Sequence, residues 1–277
     1  MGLRINTNIQ SLMAQRNLGI SNQKQQSSLE KISSGTRIAR AADDAAGLAI
    51  SSKMTADIRS LRQDSRNAND GISLVQVAEG GMNEVGNILT RFRELSIQGA
   101  SDTIGDKERG FINKEVLQLR SEINRIAQTT EFNGHNLLSG QGQKLDIQVG
   151  LNNSAEHDRF VFDTQKLNTS AEALGVADVH TETKQASQEN LAKIDHAIEM
   201  LSANRADVGA LQNRLGSSVS NLAIYEENLS AANSRIKDVD IASETSELTK
   251  ANILSQAGVS ILAQANNNSQ SALKLLG

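Results

Sequence analysis

The chain has no proline, no cysteine and no tryptophan among its 277 residues, and its aromatic side chains are one tyrosine and five phenylalanines. Each absence excludes something. Aromatic residues usually supply much of a core's buried area, so a compact globule of this size is not expected. Proline at an average usage of roughly 5% would appear about a dozen times. With none, helices can run very long, because an interior proline costs about 3 kcal/mol and a hydrogen bond. Without cysteine there is no disulfide framework, thiolate nucleophile or zinc–thiolate site. A net charge of −4 makes no electrostatic case for nucleic acid. No apolar run is long enough to span a membrane. The N-terminal "MGLRINTNIQSLMAQRNL" lacks the continuous apolar stretch and small-residue cleavage site of a Sec signal peptide. Asn6 stands where N-myristoylation needs Ser or Thr.

What is present is helical periodicity. Ile194, Leu201, Val208, Leu215, Leu222, Leu229 and Ile236 fall seven apart without a miss. The companion seam is mixed: Ile198, Arg205, Gln212, Val219, Glu226 and Asn233. One apolar and one half-polar seam suit a helix packed among unlike helices better than a symmetric two-stranded coiled coil. Over 190–237 that helix is roughly 70 Å long. A second long helix is predicted over about 44–98, striped by Met54, Ile58, Leu61, Ala68, Ile72, Val75, Met82 and Leu89. Gly80, Gly81 and Gly86 weaken it by up to ~1 kcal/mol each and mark a close neighbour or a bend. A third spans about 106–128, with Asp106 as the expected N-cap.

Asn133-Gly134 is a strong turn signal, after which the period changes from helical to alternating. Residues 144–150 and 158–163 read as a small β-hairpin, and the stretch 164–188 as polar and irregular. The two chain ends differ from the middle. Sparse stripes (Ile5, Ile9, Leu12 and Leu29 at one end; Ile253, Leu254, Ile261, Leu262, Leu273 and Leu276 at the other) stand among many Asn, Gln and Ser. Such helices gain most of their stability by packing an apolar face, and these stripes are too thin to offset ordering entropy alone. Both ends are expected to be mobile in a free chain and to order against each other and against neighbouring copies. The expected fold is mainly α: a long-helix antiparallel bundle or coiled coil with one small β-hairpin and paired terminal helices.

Between the first two helices lies "SSGTRIARAADDAAGLAISSKM", where Asp43 and Asp44 are adjacent. A catalytic carboxylate pair needs a base, metal ligand or oxyanion donor, and none is evident. A helix joint accounts for each residue type. Gly35 suits a left-handed C-cap, Asp43 an N-cap, and Asp44 the first turn, where the helix dipole favours negative charge by roughly 0.3–1 kcal/mol. Arg37 and Arg40 belong to the same connector. The histidines are His135, His157, His180 and His196; only His196 has an acidic residue one turn on, Glu199, which a solvated helix face explains. No catalytic, cofactor-binding or metal-ligating set is expected.

"SSGTRIARAADDAAGLAIS" resembles the N-terminal signature of bacterial flagellin, and "MGLRINTNIQSL", "TRFRELSIQGAS", "EFNGHNLLSG" and "ANILSQAGVSILAQANNNSQSALKLLG" match the same family in order. The resemblance implies an extracellular filament subunit, not an enzyme, in a minimal form without outer variable domains. It implies an inner domain of 1–43 with 236–277 and an outer domain of 44–235, with the connector as interdomain joint. Implied partners are further copies of the chain, an export chaperone at the C-terminal helix, the flagellar type III export apparatus, and the cap and hook-junction proteins, with no cleaved signal peptide. In receptor-activating flagellins an "RxREL" stretch and a glutamate on the next helix meet the animal Toll-like flagellin receptor; Arg91, Arg93, Glu94, Leu95, Gln98 and Glu115 hold those places. The rival readings are a hook–filament junction protein and a soluble coiled-coil module.

Overall fold

The structure, a computed structural model, describes residues 7–274, and their side chains as far as Asn267. Among the described residues five helices and four short strands follow in order: α1 (Ile9–Ser34), α2 (Ala45–Gly99), α3 (Asp106–Thr129), β1 (Glu131–Phe132), β2 (His135–Asn136), β3 (Lys144–Gln148), β4 (Arg159–Asp163), α4 (Lys184–Lys237) and α5 (Ile241–Lys274). The helices run long because nothing in the sequence stops them; Gly80, Gly81 and Gly86 do not interrupt α2. The chain divides into two compact units, 1–56 with 228–277, and 57–227. The expected boundaries, 43/44 and 235/236, both fall inside the first unit, so the connector joins α1 to α2 within one unit.

In the second unit the seven-residue seam of α4 is buried from Ile194 through Leu215. It meets the stripe of α2, where Leu61, Ala68, Val75, Met82 and Leu89 are buried, and the inner face of α3, where Val116 and Ile123 are buried. β3 and β4 pair antiparallel with Ile147 opposite Phe160 and Leu145 opposite Phe162, close to the expected hairpin. A second, two-residue strand pair closes over Asn133 (φ 50°) and Gly134 (φ 79°), where the sequence announced only a turn. Positive φ at two successive positions is what an Asn-Gly hairpin turn requires.

Of the stretch 164–188 expected to be irregular, residues 184–188 already belong to α4; 164–183 is irregular, yet it is core. Leu167, Ala171, Leu174, Val176 and Val179 are buried. Its backbone polar groups are met by side chains far away in sequence. Asn124 Oδ1 accepts from Ala171 N at 2.9 Å and Asn113 Oδ1 from Thr181 N at 3.0 Å. Asn190 Nδ2 donates to His180 O at 2.6 Å, and Arg120 donates to Ala177 O.

The first unit is built differently. α1 packs along α5 in antiparallel fashion, with Asn8 donating to Ala265 O (2.9 Å) at one end and Ser28 Oγ to Glu244 (2.6 Å) at the other. Among the described residues no helix is long and apolar enough to cross a membrane.

Candidate functional site

The pairing of α1 and α5 inverts the usual order of burial. The buried residues are small or polar: Ser11, Ala14, Ser28, Ala251 and Ala265. Hydrogen bonds cross the seam from Ser11 Oγ to Asn266 Oδ1 (3.0 Å) and from Ser255 Oγ to Asn22 Oδ1 (2.9 Å), and Lys31 lies 3.9 Å from Glu244. Gly258 lies against Leu18. The large apolar residues of both stripes face outward. Ile9, Leu12 and Leu29 on α1 and Ile253, Leu254 and Ile261 on α5 are 48–61% exposed, while Leu262 is half-buried. Met13, Ile20, Ile241 and Val259 extend these stripes. An open groove of about 840 Å³ follows α5 past Ile241, Thr245, Thr249, Ile253 and Leu254. Ile5 and Leu276 lie outside the described residues, as does the side chain of Leu273.

The physical sense of this arrangement follows from surface chemistry. Single exposed leucines are ordinary, but rows of them along two adjacent helices mark an interaction surface. Small residues let the two backbones approach closely and leave the bulky side chains free for something else.

The connector is held by its own polar groups. Gly35 ends α1 in the left-handed conformation (φ 70°), and its carbonyl accepts from Val239 N at 3.1 Å. Arg37 reaches the open end of α4: its N–H donates to Lys237 O at 2.7 Å and its Nη2 to Ile236 O at 2.7 Å. That satisfies carbonyls which a helix C-terminus leaves without partners. Arg40 pairs with Glu30 at 2.6 Å. Each aspartate sits one helix position earlier than expected. Asp43 closes the turn before the helix, its Oδ2 accepting from Arg40 N (2.9 Å) and Ala39 N (3.1 Å). Asp44 caps α2, its Oδ1 accepting from Gly47 N at 2.8 Å. Asp44 precedes Ala45 directly, and an N-cap carboxylate reaches the amide three residues on. The backbone N–H groups of Arg40 and then Ala39 hold the Asp43 carboxyl below its ordinary range.

A similar correction applies to α3. Its N-cap is Gly105, and Asp106 is its first residue, paired with Arg109 at 2.9 Å. Arg109 is the feature sequence reasoning missed. It is 8% exposed and donates from Nε to Gly99 O and from Nη2 to Ser101 O, both at 2.9 Å.

Of the residues placed on a candidate receptor or inter-subunit surface, five are exposed and one is not. Arg91 reaches Glu115 at 2.8 Å and Glu94 at 2.9 Å, and Arg93 reaches Asp195 at 2.7 Å. Glu94 and then Glu115 hold the Arg91 guanidinium further above its ordinary value. Gln98 is exposed. Leu95 is 1% exposed and part of the core, so it offers no surface. It lies one turn from Phe92 on the core side of α2, and the charged residues around it mask this in the sequence. Among the described residues no three His, Cys, Asp or Glu side chains gather where a metal could sit.

Long helices, paired ends and outward apolar stripes define a class: helical proteins that complete their packing against further chains. The sequence comparisons give the family. Residues 5–143 match the bacterial flagellin N-terminal helical region and residues 191–276 the bacterial flagellin C-terminal helical region. The flagellin of Halalkalibacterium halodurans is 45% identical over 274 residues, covering 98% of this chain and 99% of that protein. The flagellin of Bacillus subtilis is 41% identical, covering 99% and 100%. The solved Bacillus cereus flagellin is 28% identical with a TM-score of 0.50, covering 57% of this chain and 88% of that one. A putative flagellar hook-associated protein from Vibrio parahaemolyticus shares the fold (TM-score 0.58) at 13% identity, over 71% of this chain and all of its own. The chain belongs to the bacterial flagellin family. It is a structural subunit that assembles into the flagellar filament outside the cell.

Proposed function

We propose that assembly runs through the outward faces of α1 and α5. The supporting observation is the inverted burial of the first unit: about half of the surface of Ile253, Leu254 and Ile261 stays exposed, while Ala251 and Ala265 fill the seam. At about 25 cal/mol per Å² of apolar surface removed from water, covering such rows between copies is a substantial driving force. A contact between unlike faces of identical subunits yields a helical fibre when its rotation does not close into a ring. α1 and α5 then line the inner wall of the tube. The chain is not an enzyme in this reading. It is exported through the flagellar type III apparatus. Before assembly, an export chaperone covers the α5 groove beside Ile241 and Ile253, and the cap and hook-junction proteins bound the growing filament.

The test is seeded growth. Wild-type monomer added to filament fragments is expected to elongate them. Ile253→Ser with Ile261→Ser is expected to keep the monomer's melting temperature and stop elongation. Elongation by the double variant at the wild-type rate would overturn the assignment.

The exposed network of Arg91, Glu94 and Glu115, with Arg93 and Gln98 beside it, supports a second role as the surface met by the animal Toll-like flagellin receptor. Arg91→Ala and Glu115→Ala are expected to reduce receptor signalling by monomer at least about tenfold, roughly 1.4 kcal/mol of binding. Filament growth measured on the same variants separates this role from subunit packing.

A further inference from the structure

One carboxylate of the second unit stands without compensation. Asp64 lies on the core face of α2, between Leu61 and Ala68, and is 6% exposed. Its Oδ2 is fully buried and has no hydrogen-bond partner. A second buried carboxylate, Asp158, acts on it from the end of the β3–β4 loop. That loop fixes Asp158 closely. Its Oδ2 accepts from Ser154 N at 2.9 Å, its N–H donates to Ser154 O at 3.0 Å, and its carbonyl accepts from Val149 N at 2.8 Å. Gly150 leaves the space Asp158 occupies, since a Cβ there would collide with Asp158 Oδ1. Beside this point Asn67 ties α2 to the hairpin, donating to Gln148 O at 3.1 Å.

No cation answers the pair. On α2 the residues one turn from Asp64 are Ser60, Leu61, Asn67 and Ala68, while Arg62 and Arg66 turn to Glu226 and Gln63. On the hairpin Arg159 reaches Gln148, Asn153 and Asp146, Lys144 pairs with Asp163, and His157 contacts Ser154. On α4 the contacts of Arg62 with Glu226 and of Gly71 with Leu215 put the turn Val219–Ala223 level with Asp64, and it carries no charge. The flanking titratable groups of α4 are Glu226, engaged by Arg62; Glu227, exposed; Arg214, over the Phe160 ring; and Tyr225, half-exposed. A buried ionised carboxylate beside another is unfavourable, and the protein relieves it by taking up a proton or by opening.

We propose that Asp64 is a proton-operated latch between α2 and the β3–β4 loop: neutral, it lets the Asp158 loop close on the helix, and ionised, it drives the loop away. Burial, and then Asp158, raise the Asp64 carboxyl above its ordinary value. Because the folded state holds this proton more tightly than the unfolded chain, the ionised form costs stability at higher pH. That cost shrinks as pH falls through the raised value and is gone only below the ordinary one.

The test uses the full-length monomer, with site-resolved carboxyl NMR titration, melting against pH, and amide exchange of residues 149–158. The Asp64 carboxyl is expected to titrate above the ordinary range in wild type and to move down in Asp158→Asn. Asp64→Asn is expected to melt at least about 2 °C above wild type near neutral pH, with the gap closing in mild acid. Loop exchange, corrected for its intrinsic pH dependence, is expected to slow in acid in wild type only. Three results would overturn the latch: an Asp64 titration at or below the ordinary value, Asp64→Asn less stable than wild type at every pH, or closure of the loop by millimolar calcium at alkaline pH. The Asp158→Asn titration does not depend on Asp64→Asn folding.

Discussion

Arg109 Nε lies 2.9 Å from the carbonyl oxygen of Gly99, and the same guanidinium reaches Ser101 O and Asp106 Oδ1. One buried cation therefore receives the end of α2, the turn after it and the start of α3. Arg109→Ala removes three charge-assisted bonds and leaves buried carbonyls unpaired. It is expected to destabilise the second unit by about 2–4 kcal/mol, measured by urea unfolding of the monomer. Arg109→Lys is expected to recover only part, because a point-like ammonium cannot match the guanidinium fork. A loss below about 0.5 kcal/mol in Arg109→Ala would show that water serves those carbonyls equally well.

Gly80 and Gly81 are adjacent on α2 and have opposite surroundings. A Cβ at Gly80 would meet nothing within 4 Å, whereas one at Gly81 would sit 2.7 Å from Leu138 Cδ1 and 2.8 Å from Thr130 Oγ1. Gly80→Ala is expected to stabilise by about 0.8–1 kcal/mol through helix propensity alone. Gly81→Ala is expected to destabilise, since overpacking typically costs about 1–3 kcal/mol. Thermal melts of the two variants should therefore shift in opposite directions.

Asp43 gives the connector an acid-sensitive fastening. Hydrogen bonds from the backbone N–H groups of Arg40 and Ala39 lower its carboxyl from the ordinary 3.8. The folded value being depressed, this fastening is complete above the ordinary value and is lost as pH falls through the lowered one. Amide exchange at Ala39 and Arg40 is expected to rise relative to α1 in that acid window. In Asp43→Ala it should be fast at every pH.

Much of this architecture was legible because its signals are local. The seven-residue row from Ile194 marked α4, the alternation of Leu145, Ile147 and Val149 marked the hairpin, and Gly35 marked the end of α1. What was hidden rests on contacts distant in sequence. Residues 164–188 read as polar and irregular, since nothing in their own order shows that Asn113, Asn124, Asn190 and Arg120 will satisfy their backbone. Two N-cap assignments failed by a single position, Asp43 for Asp44 and Asp106 for Gly105, because adjacent residues compete for the same cap and only the backbone decides. The resemblance to receptor-activating flagellins sets Leu95 among surface residues, whereas its spacing from Phe92 and Leu89 places it in the buried stripe.

The terminal stripes were plain in the sequence, but their direction was not. Alanine and serine fill the seam between α1 and α5, and the isoleucines and leucines point away from it. A lone pair of helices with so little apolar surface inside should open readily, whereas the assembled pair should not. Amide exchange of α1 and α5 in dilute monomer and in filament tests this most directly. Near-complete exchange within minutes in the monomer and strong protection in the filament are expected. Equal, strong protection of both helices in the dilute monomer would contradict a terminal unit completed only by neighbouring copies.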